Sequence, residues 1–157
     1  MTFSGFHRSA AAVLAAAALA LSATIPTRRG DDIPFEKHQI DIGANETCAF
    51  ADINGDGRLD IVSGENWFEA PSWTRHHFRD LNFFNNYIDA FSELPLDVDG
   101  DGAIDIVSAT WGKKTLSWGR NPGAKAAASN GAWKEMVIEG AAPIEFAFLV
   151  DLNNDGK

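Results

Sequence analysis

The chain contains a single cysteine, Cys48, and few positive charges. A lone thiol cannot form a disulfide within the chain, so no internal disulfide holds the fold. We expect Cys48 to be buried and inert, with intermolecular pairing as the alternative. The sequence has 13 Lys and Arg against 22 Asp and Glu, which gives a formal net charge of −9. Because this charge would repel phosphates, neither nucleic acid nor an anionic membrane surface is an expected partner.

The sequence also lacks the short motifs of common hydrolytic and phosphate chemistry. It has no G-x-S-x-G, no H-E-x-x-H and no phosphate-binding glycine loop. The adjacent pair His76-His77 is not expected to share a metal ion, because neighbouring residues of a strand point to opposite faces. The close carboxylate pairs of the acidic runs are poor catalytic candidates, because a divalent cation there would oppose the raised pKa that a catalytic acid needs. The sequence therefore predicts no catalytic residue.

The one long apolar run lies near the N-terminus. Arg8 precedes an uninterrupted small and apolar segment at 10–25. We interpret residues 1–23 as a secretory signal peptide and 24–34 as a linker. An uncleaved membrane anchor is the alternative, but about 20 residues are needed to span a bilayer, and this run has 16. The protein is thus predicted to be secreted, periplasmic or at the cell surface, with no membrane insertion after signal cleavage.

Three acidic runs of similar pattern dominate the rest of the sequence. DINGDGRLDIV occupies 52–62, DVDGDGAIDIV occupies 97–107, and DLNNDGK begins a third copy at 151–157. Their first residues stand 45 and then 54 positions apart. Other features recur in phase: a tryptophan four residues before a proline (Trp67, Trp118), and an alternating segment that begins with an aromatic residue (35–40, 73–78, 133–138). A unit of about 45 residues is typical of a β-propeller blade.

Short segments rich in Val, Ile and aromatic residues predict strands throughout. They lie at 47–51, 61–64, 66–68, 73–78, 104–110, 116–118, 133–138 and 146–150. No segment after the apolar run has a helical period over about 11 residues. The predicted fold class is all-β, with about two full propeller blades and the start of a third in 35–157. Because a ring typically needs four or more blades, we expect further blades on a longer chain, with assembly of several copies as the alternative.

The first two acidic runs place oxygen-bearing side chains at positions 1, 3, 5 and 9, with glycine at position 6, and the third has the same residue types at positions 1, 3, 5 and 6. Such a set suits Ca²⁺, which accepts six to eight oxygens in flexible geometry, and without His or Cys it is a poor site for zinc or copper. The predicted ligands are Asp52, Asn54, Asp56 and Asp60 with the carbonyl of Arg58 in loop 1 (52–60), Asp97, Asp99, Asp101 and Asp105 with the carbonyl of Ala103 in loop 2 (97–105), and Asp151, Asn153 and Asp155 in the partial loop 3 (151–157). The alternative is a polar hairpin turn, since Asp-Gly is a common turn dipeptide.

The pattern D-x-[DN]-x-[DN]-G-x-x-D leading into a strand resembles the FG-GAP/VCBS repeat family, the calcium-loop blades of integrin α-chain propellers and many secreted bacterial proteins. EF-hands differ, because they need a Glu at position 12, where this chain has Ser63 and Ser108. The resemblance covers 35–157. It implies a β-propeller with calcium in inter-strand loops, serving adhesion, ligand binding or scaffolding with an extracellular protein or carbohydrate ligand. The alternative is the propeller part of a secreted polysaccharide-acting enzyme with catalytic residues elsewhere.

The aromatic residues form two groups. Four tryptophans recur at fixed repeat positions, namely Trp67, Trp73, Trp118 and Trp133. Their recurrence favours packing between blades over stacking on sugars. The aromatic residues of 83–87 and Trp111 do not recur, so they are the better candidates to line a specific binding face. Packing between blades is nevertheless the favoured explanation for this second group as well.

Overall fold

A computed structural model describes residues 33–140 and 142–155. The predicted signal peptide and most of the linker lie outside the described residues. The chain divides into two units, Met1–His38 and Gln39–Lys157. Residues 33–48 form neither strand nor helix, so the alternating segment at 35–40 is not the strand that its resemblance to later segments predicts. Among the described residues, no helix is long and apolar enough to cross a membrane.

Two four-stranded antiparallel sheets make up most of the second unit, each with its strands in sequence order. The first sheet consists of β1 (Ala49–Ala51), β2 (Asp60–Ser63), β3 (Asn66–Glu69) and β4 (Thr74–His77). A short hairpin of β5 (Phe83–Phe84) and β6 (Tyr87–Ile88) follows. The second sheet consists of β7 (Ser92–Leu96), β8 (Asp105–Ala109), β9 (Leu116–Arg120) and β10 (Lys134–Glu139). The all-β fold with propeller-like blades is confirmed, and the described residues do not close a ring.

The acidic loops occupy the same place in both sheets. Loop 1 joins β1 to β2, with Ala51 paired to Asp60. Loop 2 joins β7 to β8, with Leu96 paired to Asp105. The first strands of the two sheets, β1 and β7, also lie against one another. Loops 1 and 2 are therefore equivalent hairpin connections of two adjoining blades.

The hydrophobic core contains side chains of both sheets. Its buried members are Ala51, Ile53, Val62, Trp67, Phe78, Ile106, Ala127 and Trp133. The ring centroids of Phe78 and Trp133 lie 4.9 Å apart, and the backbone N–H of Trp133 donates to the backbone carbonyl of Phe78 at 2.7 Å. The predicted packing role is confirmed for Trp67 and Trp133, while Trp118 is half-buried. It is wrong for Trp73, which is 36% exposed because it lies in the β3–β4 turn, with φ at 56°.

At two further segments, each of which precedes an acidic loop, the strands differ from the prediction. The strand predicted at 146–150 is absent, and Phe146 and Phe148 are exposed. In the two blades this segment pairs with the strand after the loop, and the described residues contain no strand after β10. The strand β7 was not predicted, because Pro95 weakens its strand pattern. As an edge strand of the second sheet, β7 accommodates a residue that has no N–H.

Two local details also differ from expectation. The small-residue segment at 123–131, where the sequence predicts no helix, contains a one-turn helix α1 (Ala124–Ala127). Ala127 of this turn is fully buried in the core. Cys48 is exposed rather than buried, since it immediately precedes the edge strand β1.

Candidate metal centre

The aspartate at position 1 organises the backbone of each loop. In loop 1, Asp52 Oδ1 accepts the N–H of Asp56 at 2.9 Å and Oδ2 accepts the N–H of Gly57 at 2.8 Å. The equivalent distances in loop 2 are 3.1 and 3.0 Å. Gly57 has φ at 85°, a backbone conformation that residues other than glycine rarely adopt. The position-1 carboxylate therefore stabilises the turn by its hydrogen bonds alone, as the polar-turn alternative requires. It could do so in addition to contacting an ion.

The aspartate at position 9 is buried in both blades. Asp60 and Asp105 are fully inaccessible to solvent. Asp60 Oδ2 accepts the N–H of Ile53 at 3.0 Å, and its Oδ1 accepts the N–H of Ala70 at 2.9 Å. Asp105 makes the same two bonds at 3.0 and 2.8 Å. Burial raises the pKa of both carboxyls above the usual value, and these hydrogen bonds offset the effect only in part. A neighbouring divalent cation would favour the ionised form.

Loop 2 gathers three of its four predicted side-chain ligands. Asp97, Asp99 and Asp105 each place a carboxylate oxygen within 4.8 Å of the others. The donor set is oxygen alone, which fits a hard cation such as Ca²⁺ and suits zinc or copper poorly. In loop 1 the position-3 residue is Asn54, so an amide oxygen replaces one of these carboxylates. The two sites thus share a framework but differ by one negative charge at position 3.

The position-5 aspartates take other partners. Asp56 Oδ1 accepts the N–H of Arg58 at 2.9 Å, and its Oδ2 lies 3.2 Å from the Arg58 guanidinium. Asp101 Oδ1 accepts the N–H of Ala103 at 2.9 Å. Asp101 does not belong to the three-carboxylate group of loop 2. The carbonyls of Arg58 and Ala103 stay predicted ligands.

The third strand of each sheet contributes a charged side chain that was not predicted. Arg120 of β9 lies 2.6 Å from Asp99 and 3.1 Å from Asp101, and the hydrogen bond to Asp99 raises the pKa of its guanidinium. At the same repeat position, Glu69 of β3 accepts a hydrogen bond from Asn54 at 3.2 Å. The signal was present in the sequence, because both residues stand two positions before the repeated proline. The pattern alone does not show that they reach the loops.

Asn121 connects the two loops. Its side-chain N–H₂ group donates to the carbonyl of Ile53 in loop 1 at 2.9 Å and to that of Ile104 in loop 2 at 3.0 Å. The side chain is nearly fully buried. Because buried carbonyls need a donor, this amide fixes the backbone of both loops relative to one another. At the same repeat position the first sheet has Ala70, which cannot make these bonds.

Loop 3 begins the same turn as loop 1. The N–H of Asp155 donates to Asp151 Oδ1 at 3.2 Å and to Asn153 Oδ1 at 3.3 Å. Asn154, at position 4, has φ at 59°, and Gly55 of loop 1 has 72°. The sequence contains no position-9 acid for this loop. Asp151, Asn153 and Asp155 therefore form a turn equivalent to the first half of loop 1.

The two adjacent histidines have separate environments. The buried His76 ring stacks on Trp67 at 4.3 Å, and its Nε2 lies 2.9 Å from Glu69. His77 Nε2 lies 3.2 Å from Asp80. The expectation that the pair does not share an ion agrees with these contacts.

Four-stranded blades with equivalent acidic hairpin loops define a β-propeller repeat protein. Residues 97–157 match the model of the FG-GAP-like repeat family. The match runs from the first residue of loop 2 through loop 3, and it confirms the predicted resemblance for this part of the chain. No curated protein and no solved structure matches the chain.

Proposed function

We propose that the chain is a secreted, non-catalytic, calcium-binding β-propeller module for adhesion, ligand binding or scaffolding, with further blades on a longer chain. The observation that carries the proposal is the convergence of Asp97, Asp99 and Asp105 within 4.8 Å in the matched FG-GAP repeat. Three carboxylates this close repel one another, and a cation between them would relieve the repulsion. The ion would hold the β7–β8 hairpin closed and supply no bond-breaking chemistry.

A calcium titration with a reciprocal pair of variants tests the proposal. Asp99→Asn gives loop 2 the residue that loop 1 has at position 3, and Asn54→Asp does the reverse, so both changes are compatible with the fold. We expect calcium to bind at about 10⁻⁴ to 10⁻³ M, with weaker binding in Asp99→Asn and tighter binding in Asn54→Asp. Isothermal titration calorimetry at constant ionic strength, with Mg²⁺ as the control ion, measures both. Equal affinities in both variants, or no binding in the parent, would contradict the proposal.

Arg120 provides a separate prediction. Its guanidinium forms ion pairs with the carboxylates of Asp99 and Asp101, which a bound cation would also need as ligands. We expect Arg120→Met to lower the calcium dissociation constant of loop 2, because methionine keeps the unbranched side chain and removes the competing charge. Arg75→Met is the matched control, since Arg75 is exposed on β4 and, within the described residues, forms no ion pair with a loop carboxylate. Weaker calcium binding in Arg120→Met would show instead that the arginine supports the site.

A further inference from the structure

Aromatic residues from separate parts of the chain meet at a groove of about 330 Å³. Four aromatic side chains and two carboxylates line it: Phe84, Tyr87, Phe91, Trp111, Glu46 and Glu145. They come from the β5–β6 hairpin, from the segments next to β7 and β8, and from coil segments before β1 and after β10. None belongs to an acidic loop, and the groove includes two of the non-repeated aromatic residues at 83–87 together with Trp111.

These aromatic side chains are not part of the core. Phe84 is 41% exposed, Tyr87 59% and Trp111 39%. The favoured expectation that they pack between blades is therefore wrong, whereas the expectation that they line a binding face agrees with their position. Clustered exposed aromatic surface is a mark of a binding site, because each ring offers a rigid apolar face.

The charge of the groove is negative and uncompensated. Within the described residues, neither Glu46 nor Glu145 forms a hydrogen bond or an ion pair. No lysine or arginine lines the groove. The nearby Lys113 is bound to Glu135 at 2.6 Å and lines a different cavity. A ligand that fits must therefore present apolar surface to the rings and positive charge to the carboxylates.

We propose that the groove binds an organic cation, a quaternary or alkylated ammonium group. The negative faces of aromatic rings attract such a cation, and its alkyl groups bury against the same rings. Glu46 and Glu145 complement its charge. A neutral sugar would stack on the rings and gain nothing from the carboxylates, and an anion would be repelled. This inference goes beyond the calcium role, because it uses none of the loop residues.

The test compares choline with its neutral isostere, 3,3-dimethylbutan-1-ol, on the full chain with calcium in excess. We expect choline to bind about fivefold more tightly than the isostere, the ratio that a cation–π contact at a partly exposed site supports. Trp111→Leu, which keeps apolar bulk and removes the indole face, should weaken choline binding about fivefold. Glu145→Gln should also weaken it. Trp73→Leu and Glu139→Gln, exposed residues outside the groove, are the matched controls and should leave the affinity unchanged.

Three outcomes would overturn the inference: equal affinity for choline and the isostere, unchanged choline affinity in Trp111→Leu, or tighter binding of a neutral disaccharide than of choline. The last result would assign the groove to carbohydrate. Tyr87 is more exposed than Phe84 and Trp111, so Tyr87→Leu repeats the test if Trp111→Leu does not fold. A calcium titration of the same variants separates a failure of this inference from a failure of the proposed calcium role.

Discussion

Replacing Glu93 with alanine is expected to lower the free energy of unfolding by about 3–5 kcal/mol, the range for breaking a buried ion pair. Glu93 Oε1 lies 2.6 Å from Arg79 Nη2, and the two side chains are 0% and 16% exposed. The same oxygen accepts the N–H of Gly64 at 2.9 Å. Alanine would leave the largely buried guanidinium without its counter-charge.

The effect is large because this ion pair joins the two sheets. Arg79 Nε donates to the Gly64 carbonyl, in the β2–β3 turn of the first sheet, at 2.7 Å. Its Nη1 donates to Ser108 of β8, and Glu93 belongs to β7 of the second sheet. Burial lowers the pKa of Arg79 and raises that of Glu93, and each charge offsets the effect on its partner. Removing either partner therefore exposes the full desolvation cost of the other.

Urea unfolding in excess calcium measures this prediction, with Glu135→Ala as the matched control. Glu135 pairs with Lys113 at 2.6 Å, but these side chains are 47% and 42% exposed, so its loss should cost about 0–1 kcal/mol. The double variant Arg79→Met/Glu93→Leu should recover much of the stability, because an apolar pair has no charge to desolvate. If Glu93→Ala costs no more than Glu135→Ala, the ion pair does not couple the sheets.

Removing calcium is expected to destabilise the protein by about 2.7 kcal/mol for each site that was held at 100 times its dissociation constant. Asp60 and Asp105 are buried, and burial raises their pKa values, so the ion-free fold bears an electrostatic cost that a cation relieves. Because extracellular modules bind at about 10⁻⁴ to 10⁻³ M, the full effect needs millimolar calcium or more. The melting temperature in calcium and in EDTA measures it. An unchanged melting temperature in EDTA would contradict the calcium role.

The two loops should respond differently to loss of a position-3 or position-5 side chain. Asp101→Ala is expected to reduce the calcium-dependent gain in melting temperature more than Asn54→Ala, because it removes a carboxylate rather than an amide. Asp101 is also a partner of Arg120, at 3.1 Å. Repeating both measurements in EDTA separates loss of ion binding from loss of loop hydrogen bonds. A larger calcium-dependent loss in Asn54→Ala would contradict the ligand assignment.

Features that depend on neighbouring residues were predictable from the sequence. The spacing of acids and glycines in loops 1 and 2 predicted equivalent turns that lead directly into strands, since such turns form from contacts within a few residues. The recurrence of the same elements predicted four-stranded blades. Strand prediction failed where the neighbours were uninformative: β7 contains Pro95, and the segment 146–150 has a good strand composition but no pairing partner among the residues that the structure describes.

The residues that the sequence did not identify act across the two blades. Arg120 and Glu69 approach the loops from a third strand, and Asn121 bonds a carbonyl 68 positions away. The partners Arg79 and Glu93 come from opposite sides of the hairpin β5–β6. No local pattern marks such contacts, because charged and amide residues at these positions could equally have faced solvent.

The sequence alone determined the all-β repeat class, the positions of the acidic loops and the chemical type of cation that they suit, since each follows from spacing and side-chain chemistry within one repeat. Only the tertiary structure decided which carboxylates converge, which cations already neutralise them, and that scattered aromatic residues and glutamates form one groove. The physical reason is that packing the two sheets against each other brings together side chains far apart along the chain, and their burial and charge depend on neighbours from both sheets.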